Sequence, residues 1–279
     1  MRQSYIEITE KVYPKLTKGL KKVARLLLDD PIVFAIHPAK KIGELIGVSE
    51  TTVIRFCKTL GFEFRILQEE IQKDLVHFNQ KSGQLFVDDT NSEKAYFEQI
   101  DNDLNLIKSN LHKIDQKIIK QATSVILNSE KVIVAGNYQS FTYAYWLYYN
   151  LNYVLDHVFL YRAETDSTII NKASENACLV VYSFYRYAND TLHLAKSAKA
   201  KGIHVIAITD SSVSPITEYA DTTIVINIGD RFSFLRIGPV AITVSNMLLY
   251  EIYEHINLEN YHFNSYHYLV QDGDKENNT

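Results

Sequence analysis

Cysteine is scarce in this sequence, with two residues in 279, Cys57 and Cys178. They stand far apart in apolar surroundings, which excludes a disulfide-stapled secreted fold and predicts two reduced, buried thiols. Reduced thiols are typical of a cytoplasmic protein. His262 and His267, near the C-terminus, lack the spacing of metal ligands, so we expect neither a metal nor a cofactor.

Long hydrophobic runs are missing as well. No apolar stretch reaches the roughly 18 residues that a membrane span needs, and the N-terminal residues MRQSYIEITEK lack the apolar core of a secretory signal. We therefore expect no contact with a membrane and a cytoplasmic location. Apolar residues still make up 46% of the chain, and 279 residues are long enough for two domains.

A strong net charge of one sign is also absent, since the formal net charge is −4. The charge is unevenly distributed. Residues 1–81 hold 14 Lys and Arg against 10 Asp and Glu, a net of +4, and the remainder holds 15 against 23, a net of −8. A basic N-terminal part joined to an acidic C-terminal part suits a DNA-binding head on a soluble body.

The segment PAKKIGELIGVSETTVIRFCKTLGF, residues 38–62, has the pattern of a helix-turn-helix. It predicts one helix over 39–46 and a second over 50–59. Gly47 supplies the tight turn between them, and Gly43 lets the second helix pass close over the first. Gly61 would end the second helix.

The second helix is expected to act as the recognition helix. Its Ser49 cap starts the helix, Arg55 can reach guanine or phosphate, and the two threonines can touch base edges or thymine methyls. The lysines that open the first helix can hold the DNA backbone. The alternative is a plain helical hairpin with a solvated basic face. The candidate DNA-binding residues are Lys40, Lys41, Ser49, Glu50, Thr51, Thr52, Arg55 and Lys58.

The pattern of apolar residues changes along the chain, and this change predicts two domains. Residues 1–78 are expected to form an all-α helix-turn-helix head of five helices, 79–92 a polar linker, 93–270 a second domain and 271–279 a disordered tail. In the second domain, short apolar strands alternate with helices, which predicts an α/β three-layer domain around a parallel sheet. Ligands bind such sheets at the C-terminal ends of the strands.

The predicted elements are helices and strands of ordinary length. The first helix of the head is predicted over 13–29 and the last over 64–78. The strands are predicted over 131–135, 158–161, 178–183, 203–209 and 223–228, and the final helix over 234–256.

With GVSETTVIRFCKTLGF in the head, followed by a linker and an α/β half, the chain resembles the RpiR-type bacterial transcriptional regulators. The run AKSAKAKGIHVIAITDSSVSPITEYADTTIVI is similar to the sugar isomerase (SIS) domain, a flavodoxin-like α/β domain that forms their C-terminal half. The resemblance covers nearly the whole chain. It implies a DNA-binding regulator of carbohydrate metabolism, with no catalytic residues, whose SIS domain senses a small carbohydrate-derived effector.

The resemblance also implies an effector site built from two loops. The first, usually Gly-x-Gly-x-Ser, stands here as Gly-Asn-Tyr-Gln-Ser over 136–140. The second, usually Ser-x-Ser-Gly-x-Thr, stands as Ser-Phe-Tyr-Arg-Tyr-Ala over 183–188, where only the first serine matches. The candidate effector-binding residues are Gly136, Asn137, Tyr138, Ser140, Ser183, Tyr185 and Arg186.

Tyr138, Tyr185, Arg186 and Ala188 depart from the small and hydroxylated residues of the family pattern. A phosphate cradle needs small residues, so that the backbone can approach, and hydroxyl donors. We therefore expect that the site does not bind simple sugar phosphates as its relatives do. Two outcomes stay open: the tyrosines stack on a ring while Arg186 holds an anion, or the tyrosines plug the site.

Three functions are compatible with these patterns. The favoured one is a metabolite-sensing DNA-binding regulator; the others are a sugar-phosphate isomerase with a helical head, and a regulator whose SIS domain only dimerises. Since one head makes few base contacts, we expect a homodimer or homotetramer on a near-palindromic duplex operator. The dimer surface, or else the core, is expected to include the apolar face of the last helix, Val240, Val244, Leu248 and Ile252.

Overall fold

The computed structural model describes residues 4–84, 92–228 and 237–256. Residues 4–84 form a head of six α-helices around one apolar core. The helices are α1 (Tyr5–Val12), α2 (Lys18–Asp29), α3 (Pro31–Ile36), α4 (Ala39–Ile46), α5 (Glu50–Thr59) and α6 (Phe64–Gln84). The predicted helix-turn-helix is α4 and α5.

The N-terminal part of the head differs from the sequence prediction. The single helix predicted over 13–29 is a 3-10 turn over Tyr13–Lys15 followed by α2, because Pro14 sits in the turn and Thr17 adopts an extended N-cap conformation. The prediction also missed α1. Its signal was local: Ser4 and Glu7 form a capping box, in which each side chain accepts from the other's backbone N–H.

The last helix of the head is longer than predicted. The sequence predicts that the last helix of the head ends at residue 78, whereas α6 continues to Gln84. The residues from 79 to 84 include no proline, which would have interrupted the helix. The rest of the predicted linker, 85–91, and the predicted disordered tail, 271–279, lie outside the described residues.

The C-terminal half is an α/β domain of three layers. Among the described residues it has five parallel strands in the order β2-β1-β3-β4-β5, as predicted for a parallel sheet. The strands are β1 (Lys131–Gly136), β2 (Val158–Leu160), β3 (Ala177–Ser183), β4 (His204–Thr209) and β5 (Thr222–Val225). The helices are α7 (Ser92–Lys113), α8 (Gln116–Asn128), α9 (Gln139–Leu151), α10 (Ile169–Lys172), α11 (Asn189–Ala200) and α12 (Ile237–Glu254).

Two apolar cores lie on the two faces of this sheet. The central strand β3 is buried along its whole length, which is why it reads as an unbroken apolar run. The apolar face of α12 belongs to the larger core. Its residues Val240, Val244, Leu248 and Ile252 are at most 1% exposed, so they are core residues and cannot form a dimer surface.

The register of the sheet determines where its loops meet. Gly136 at the end of β1 lies beside Tyr182, and Ser183 at the end of β3 lies beside Thr209 at the end of β4. Because parallel strands end at the same edge, the loops that follow β1, β3 and β4 converge there.

Candidate DNA interface and ligand site

The turn between α4 and α5 has the tight packing that its glycines predict. A Cβ built on Gly43 would lie 2.6 Å from the carbonyl oxygen of Val48, so only glycine fits at this crossing. Gly47 closes α4 in the left-handed region with φ 66°. Ser49 caps α5, and its Oγ accepts from the backbone N–H of Thr52 at 3.2 Å.

The recognition helix α5 is divided into a buried and an exposed face. Val53, Phe56 and Cys57 are fully buried against the rest of the head. The opposite face carries predicted DNA-binding residues that are all exposed: Glu50, Thr51, Arg55 and Lys58. Exposed polar side chains on the first turns of such a helix are the ones that reach base edges.

Arg55 stands out on this face. Its guanidinium forms no hydrogen bond or ion pair with any residue in the described part of the chain, and only its backbone oxygen is used, by the hydroxyl of Thr59. Lys40 and Lys41 are exposed on α4, and Lys41 approaches Glu44 at 3.6 Å. A free guanidinium flanked by exposed lysines is the arrangement that phosphate and base contacts need.

Thr52 is less available than predicted. Its hydroxyl lies 2.9 Å from the capping Ser49 hydroxyl, and its side chain is half-buried toward α2. Of the two threonines, Thr51 is therefore the exposed one. Lys22 of α2 has a role that the sequence analysis missed, since its Nζ donates to the carbonyl of Ile46 at the end of α4.

The second candidate site lies at the carboxyl ends of the central strands. Its first loop, after β1, depends on Gly136, because a Cβ there would lie 2.4 Å from the carbonyl oxygen of Ser140. Asn137 is tied to the start of α11 by a hydrogen bond of 2.9 Å from its amide to the hydroxyl of Thr191. The loop thus connects the end of β1 to the helix that follows β3.

Tyr138, which stands where the family pattern has glycine, has a backbone conformation that favours glycine. Its φ of 54° and ψ of −126° are unfavourable for any residue with a Cβ. Tyr138 is 84% exposed, so its side chain does not fill the loop. Arg186 in the second loop also has a positive φ, 68°, where the family pattern has glycine. Both replacements thus keep the glycine-like sign of φ, and backbone strain at two converging loops is typical of a functional site.

Ser183, the last residue of β3, points to a ligand. Its side chain is 3% exposed, and its Oγ has no hydrogen-bond partner among the described residues. An unpaired buried hydroxyl is costly unless something outside the chain completes it. This hydroxyl lies at the strand end where ligands of parallel sheets bind.

Asp210, directly after β4, is a site residue that the sequence analysis missed. It is 6% exposed, and its carboxylate accepts from the hydroxyl of Tyr187 at 3.0 Å and from the backbone N–H of Tyr185 at 3.3 Å. The signal was an acidic residue at the end of a buried strand. Because it occupies the N–H of Tyr185, this carboxylate removes one donor from the second loop and adds a negative charge beside it.

The loop after β4 also touches the head. The hydroxyl of Ser211 donates to the carboxylate of Glu10 at 2.7 Å, and Val213, 7% exposed, packs into the apolar core of the head. Glu218 forms an ion pair with Arg25 of α2. The residues that follow Asp210 therefore connect the candidate ligand site to the helical head.

Neither site has the features of a metal centre or a membrane segment. Among the side chains that the structure describes, no cluster of three or more His, Cys, Asp or Glu could hold a metal ion. Of the helices in the described ranges, none is both long and apolar enough to cross a membrane.

Comparison with known proteins identifies both halves of the chain. The model of the helix-turn-helix domain of the rpiR family matches residues 3–76, and that of the SIS domain matches residues 128–254. A relative from Haemophilus influenzae, named an uncharacterized HTH-type transcriptional regulator, is 23% identical in an alignment of 226 residues that covers 77% of this chain and 76% of the relative.

Two solved structures resemble this fold, one over 56% of the chain and the other over 90%. The sugar isomerase domain of an RpiR transcription factor from Sphaerobacter thermophilus is 27% identical, with a TM-score of 0.51, over 56% of this chain and 88% of that one. The Vibrio vulnificus NanR protein complexed with ManNAc-6P has a TM-score of 0.56 at 15% identity, over 90% of this chain and 92% of that one.

The exposed face of α5, the parallel sheet with its converging loops and the two family matches agree with one another. The chain, a helix-turn-helix domain of the rpiR family followed by a SIS domain, belongs to the RpiR-type transcriptional regulators.

Proposed function

We propose that this regulator reads duplex DNA with the exposed face of α5. The observation that carries this proposal is the free, exposed guanidinium of Arg55, held on a helix whose other face is fully buried. Lys40, Lys41 and Lys58 position the head on the backbone, and Thr51 and Arg55 contact bases. We infer that such a protein works at the chromosome and therefore in the cytoplasm.

Fluorescence anisotropy with a selected operator duplex tests this placement of the interface. Arg55→Ala is expected to weaken binding by about 1–3 kcal/mol, because a base contact of this kind contributes that much. Arg162→Ala is the matched control, since it removes the same charge from an exposed position in the SIS domain. Equal affinity of the Arg55→Ala variant and the control at matched salt would contradict the proposal.

We infer further that the loops at the carboxyl ends of β1 and β3 hold a small, anionic, carbohydrate-derived effector. The buried, unpaired Oγ of Ser183 supports this, as do the two positive-φ residues of the loops. Gly136, Asn137, Tyr138 and Ser140 form one side of this site. Ser183, Tyr185 and Arg186 form the other, where the exposed guanidinium supplies a charged fork for an anion.

Simple sugar phosphates are expected to bind weakly. The family's second serine and its threonine are replaced by Tyr185 and Ala188, which moves one hydroxyl to the far end of a tyrosine ring and removes the other, and Asp210 occupies the N–H of Tyr185. Each lost hydrogen bond to a charged group costs roughly 1.5–3 kcal/mol, so two losses cost about a hundredfold or more in affinity. Since the ring of Tyr138 is exposed, the loss comes mainly from missing donors rather than from a filled loop.

Titration calorimetry with hexose, pentose and amino-sugar phosphates, and with the corresponding sugar acids, tests the effector site. We expect an acidic sugar derivative to bind more tightly than any simple sugar phosphate, and Ser183→Ala to weaken that binding. Micromolar binding of a simple sugar phosphate, lost in Ser140→Ala, would contradict the altered specificity. Absence of binding by the whole panel would favour a regulator whose SIS domain only dimerises.

Effector binding has a direct structural route to the head. Asp210 holds the second loop through Tyr185 and Tyr187, and the next residues contact the head through Ser211 and Val213. We infer that a ligand which moves the second loop shifts this contact and thereby the placement of α5. The SIS domain, 93–270 in our division of the chain, would then act as the sensor and residues 1–78 as the reader.

An isomerase activity is the second class of function that the SIS fold allows. Isomerisation needs a firmly held phosphate and a placed base. With two donors of the second loop replaced and a third occupied by Asp210, we infer that the chain is not an enzyme. Interconversion of any aldose and ketose phosphate by the purified full chain, abolished by Ser183→Ala, would overturn this inference.

A further inference from the structure

Helix α7 carries apolar side chains that nothing in the described part of the chain covers. Phe97, Ile100, Leu104 and Leu111 are exposed by 67%, 53%, 47% and 42%. Their spacings of three, four and seven residues place them on one face of the helix. We call the four exposed residues the outer stripe. At 1.5 Å per residue it runs for about 21 Å along the helix.

The outer stripe is distinct from the face that α7 uses within its own domain. Leu106, Ile107 and Ile114 pack against the core of the SIS domain. Asn110, 2% exposed, bonds with the backbone of Asn227 in both directions at 2.6 Å. The apolar residues of α7 therefore extend beyond the face that packs against the SIS domain. Those of the outer stripe lie beside that face and remain exposed to solvent. Four large apolar side chains in one stripe mark an interaction surface rather than scattered exposure.

The charges beside the outer stripe indicate what covers it. Asp101 and Lys108, seven residues apart, stand at the same position of the heptad, and both are exposed. Neither forms an ion pair with a described residue. When a second α7 packs against the first in the opposite direction, the acidic half of each helix meets the basic half of the other. Asp101 of one copy then faces Lys108 of the other, and the two-fold axis makes this contact twice.

We infer that the outer stripe of α7 is the surface against which a second copy of this chain packs, with the two α7 helices antiparallel. The inference builds on the proposed pairing of two heads on one operator, but it concerns the protein without DNA. It replaces the apolar face of α12, which is buried, as the place where the protomers meet.

Sedimentation of the full chain without DNA tests this surface. The wild-type protein is expected to be a dimer at micromolar concentration, and Leu104→Asp is expected to raise the dissociation constant at least a hundredfold. Ile36→Asp is the matched control, because Ile36 is 64% exposed in the head and lies outside the stripe. A monomeric wild type, or a Leu104→Asp variant as dimeric as the control, would overturn the inference.

Cross-linking tests the orientation and does not depend on how well the aspartate variant folds. The native thiols are both buried and give little background. Phe97→Cys and Leu111→Cys, each purified alone, should form few disulfide-linked dimers, whereas a mixture of the two should form them readily. Self-linking of each variant would indicate parallel helices, and no linking in any mixture would reject the α7 surface. Both results are independent of whether the protein binds its proposed operator or effector.

Discussion

Ser183 and Ser245 are two buried serines with opposite surroundings. The hydroxyl of Ser183, at the carboxyl end of β3, has no hydrogen-bond partner among the residues that the structure describes. Ser245, in the core, donates to the carbonyl of Ala241 at 2.8 Å and accepts from the hydroxyl of Tyr182 at 2.7 Å. A hydroxyl retained without a partner has a role outside folding, whereas one in a closed network stabilises the fold.

The two serines should therefore respond differently to alanine. Ser245→Ala leaves the fully buried hydroxyl of Tyr182 without its acceptor, which should lower the free energy of unfolding by about 1–3 kcal/mol. Ser183→Ala removes an unpaired group and should leave the free energy of unfolding unchanged or slightly higher. Urea denaturation of both variants checks this contrast, and a loss of stability in Ser183→Ala equal to that in Ser245→Ala would show that its hydroxyl is structural.

The two cysteines should be inert in the folded protein. Burial raises the pKa of Cys57 to about 12 and that of Cys178 to about 11. An aromatic disulfide reagent at pH 8 should therefore label neither thiol in the native state and both in urea. Rapid labelling of the folded protein would show that one of these thiols is accessible.

The same shifts fix the sign of a pH effect on stability. Because both pKa values are raised on folding, the unfolded thiols ionise first. Their contribution to stability is complete below about pH 9 and is lost as the pH rises through the folded pKa values. The urea concentration at the unfolding midpoint should decrease as the pH is raised from 8 to 10.5. In a Cys57→Ala variant, measured against its own midpoint at pH 8, this decrease should be smaller.

At the scale of elements, the crossing of α4 over α5 depends on one glycine. Gly43→Ala would place a Cβ 2.6 Å from a backbone oxygen, which forces the helices apart and should cost about 1–3 kcal/mol of stability. Gly19→Ala in α2 is the matched control. Its Cβ would meet only Thr52 at 3.5 Å, so it should be neutral or stabilise by roughly 0.5–1 kcal/mol. Thermal denaturation distinguishes the two, and a neutral Gly43→Ala would contradict the close crossing.

The elements also show how far the sequence alone leads. The helix-turn-helix and the parallel sheet follow from local patterns and were predicted. The positive φ of Tyr138 could not be predicted from the sequence, because the surrounding fold imposes such a value on a residue with a Cβ. The role of Asp210 depends on two tyrosines more than twenty residues away, and no spacing rule connects them.

Helix α7 illustrates the same limit. Its apolar spacing predicts a helix over 93–111, and the helix is present. Which apolar residues face the SIS domain and which form the outer stripe depends on how α7 packs against α12, which periodicity does not contain. The sequence shows how many apolar residues α7 carries, but it does not show which of them remain exposed.

At the scale of the whole molecule, the loop after β4 brings the head and the SIS domain into contact. Glu10 and Arg25 of the head meet Ser211 and Glu218 of the loop after β4. If this contact transmits effector binding, Val213→Asp should disrupt the packing of the loop into the head and abolish any change of DNA affinity on ligand addition. Calorimetry would then still detect the ligand. Loss of ligand binding in this variant would show instead that the loop is needed for the site itself.

The central claim is that paired heads of this chain read a specific duplex sequence through α5. Selection of bound duplexes from a random library by the full-length protein tests it most directly. We predict a near-palindromic site with half-sites about 10–10.5 base pairs apart, centre to centre, or a multiple of that spacing. Arg55→Ala should recover no such site, or one with relaxed specificity in each half. Absence of enrichment by the wild-type protein, or the same site recovered equally well by Arg55→Ala, would contradict the account.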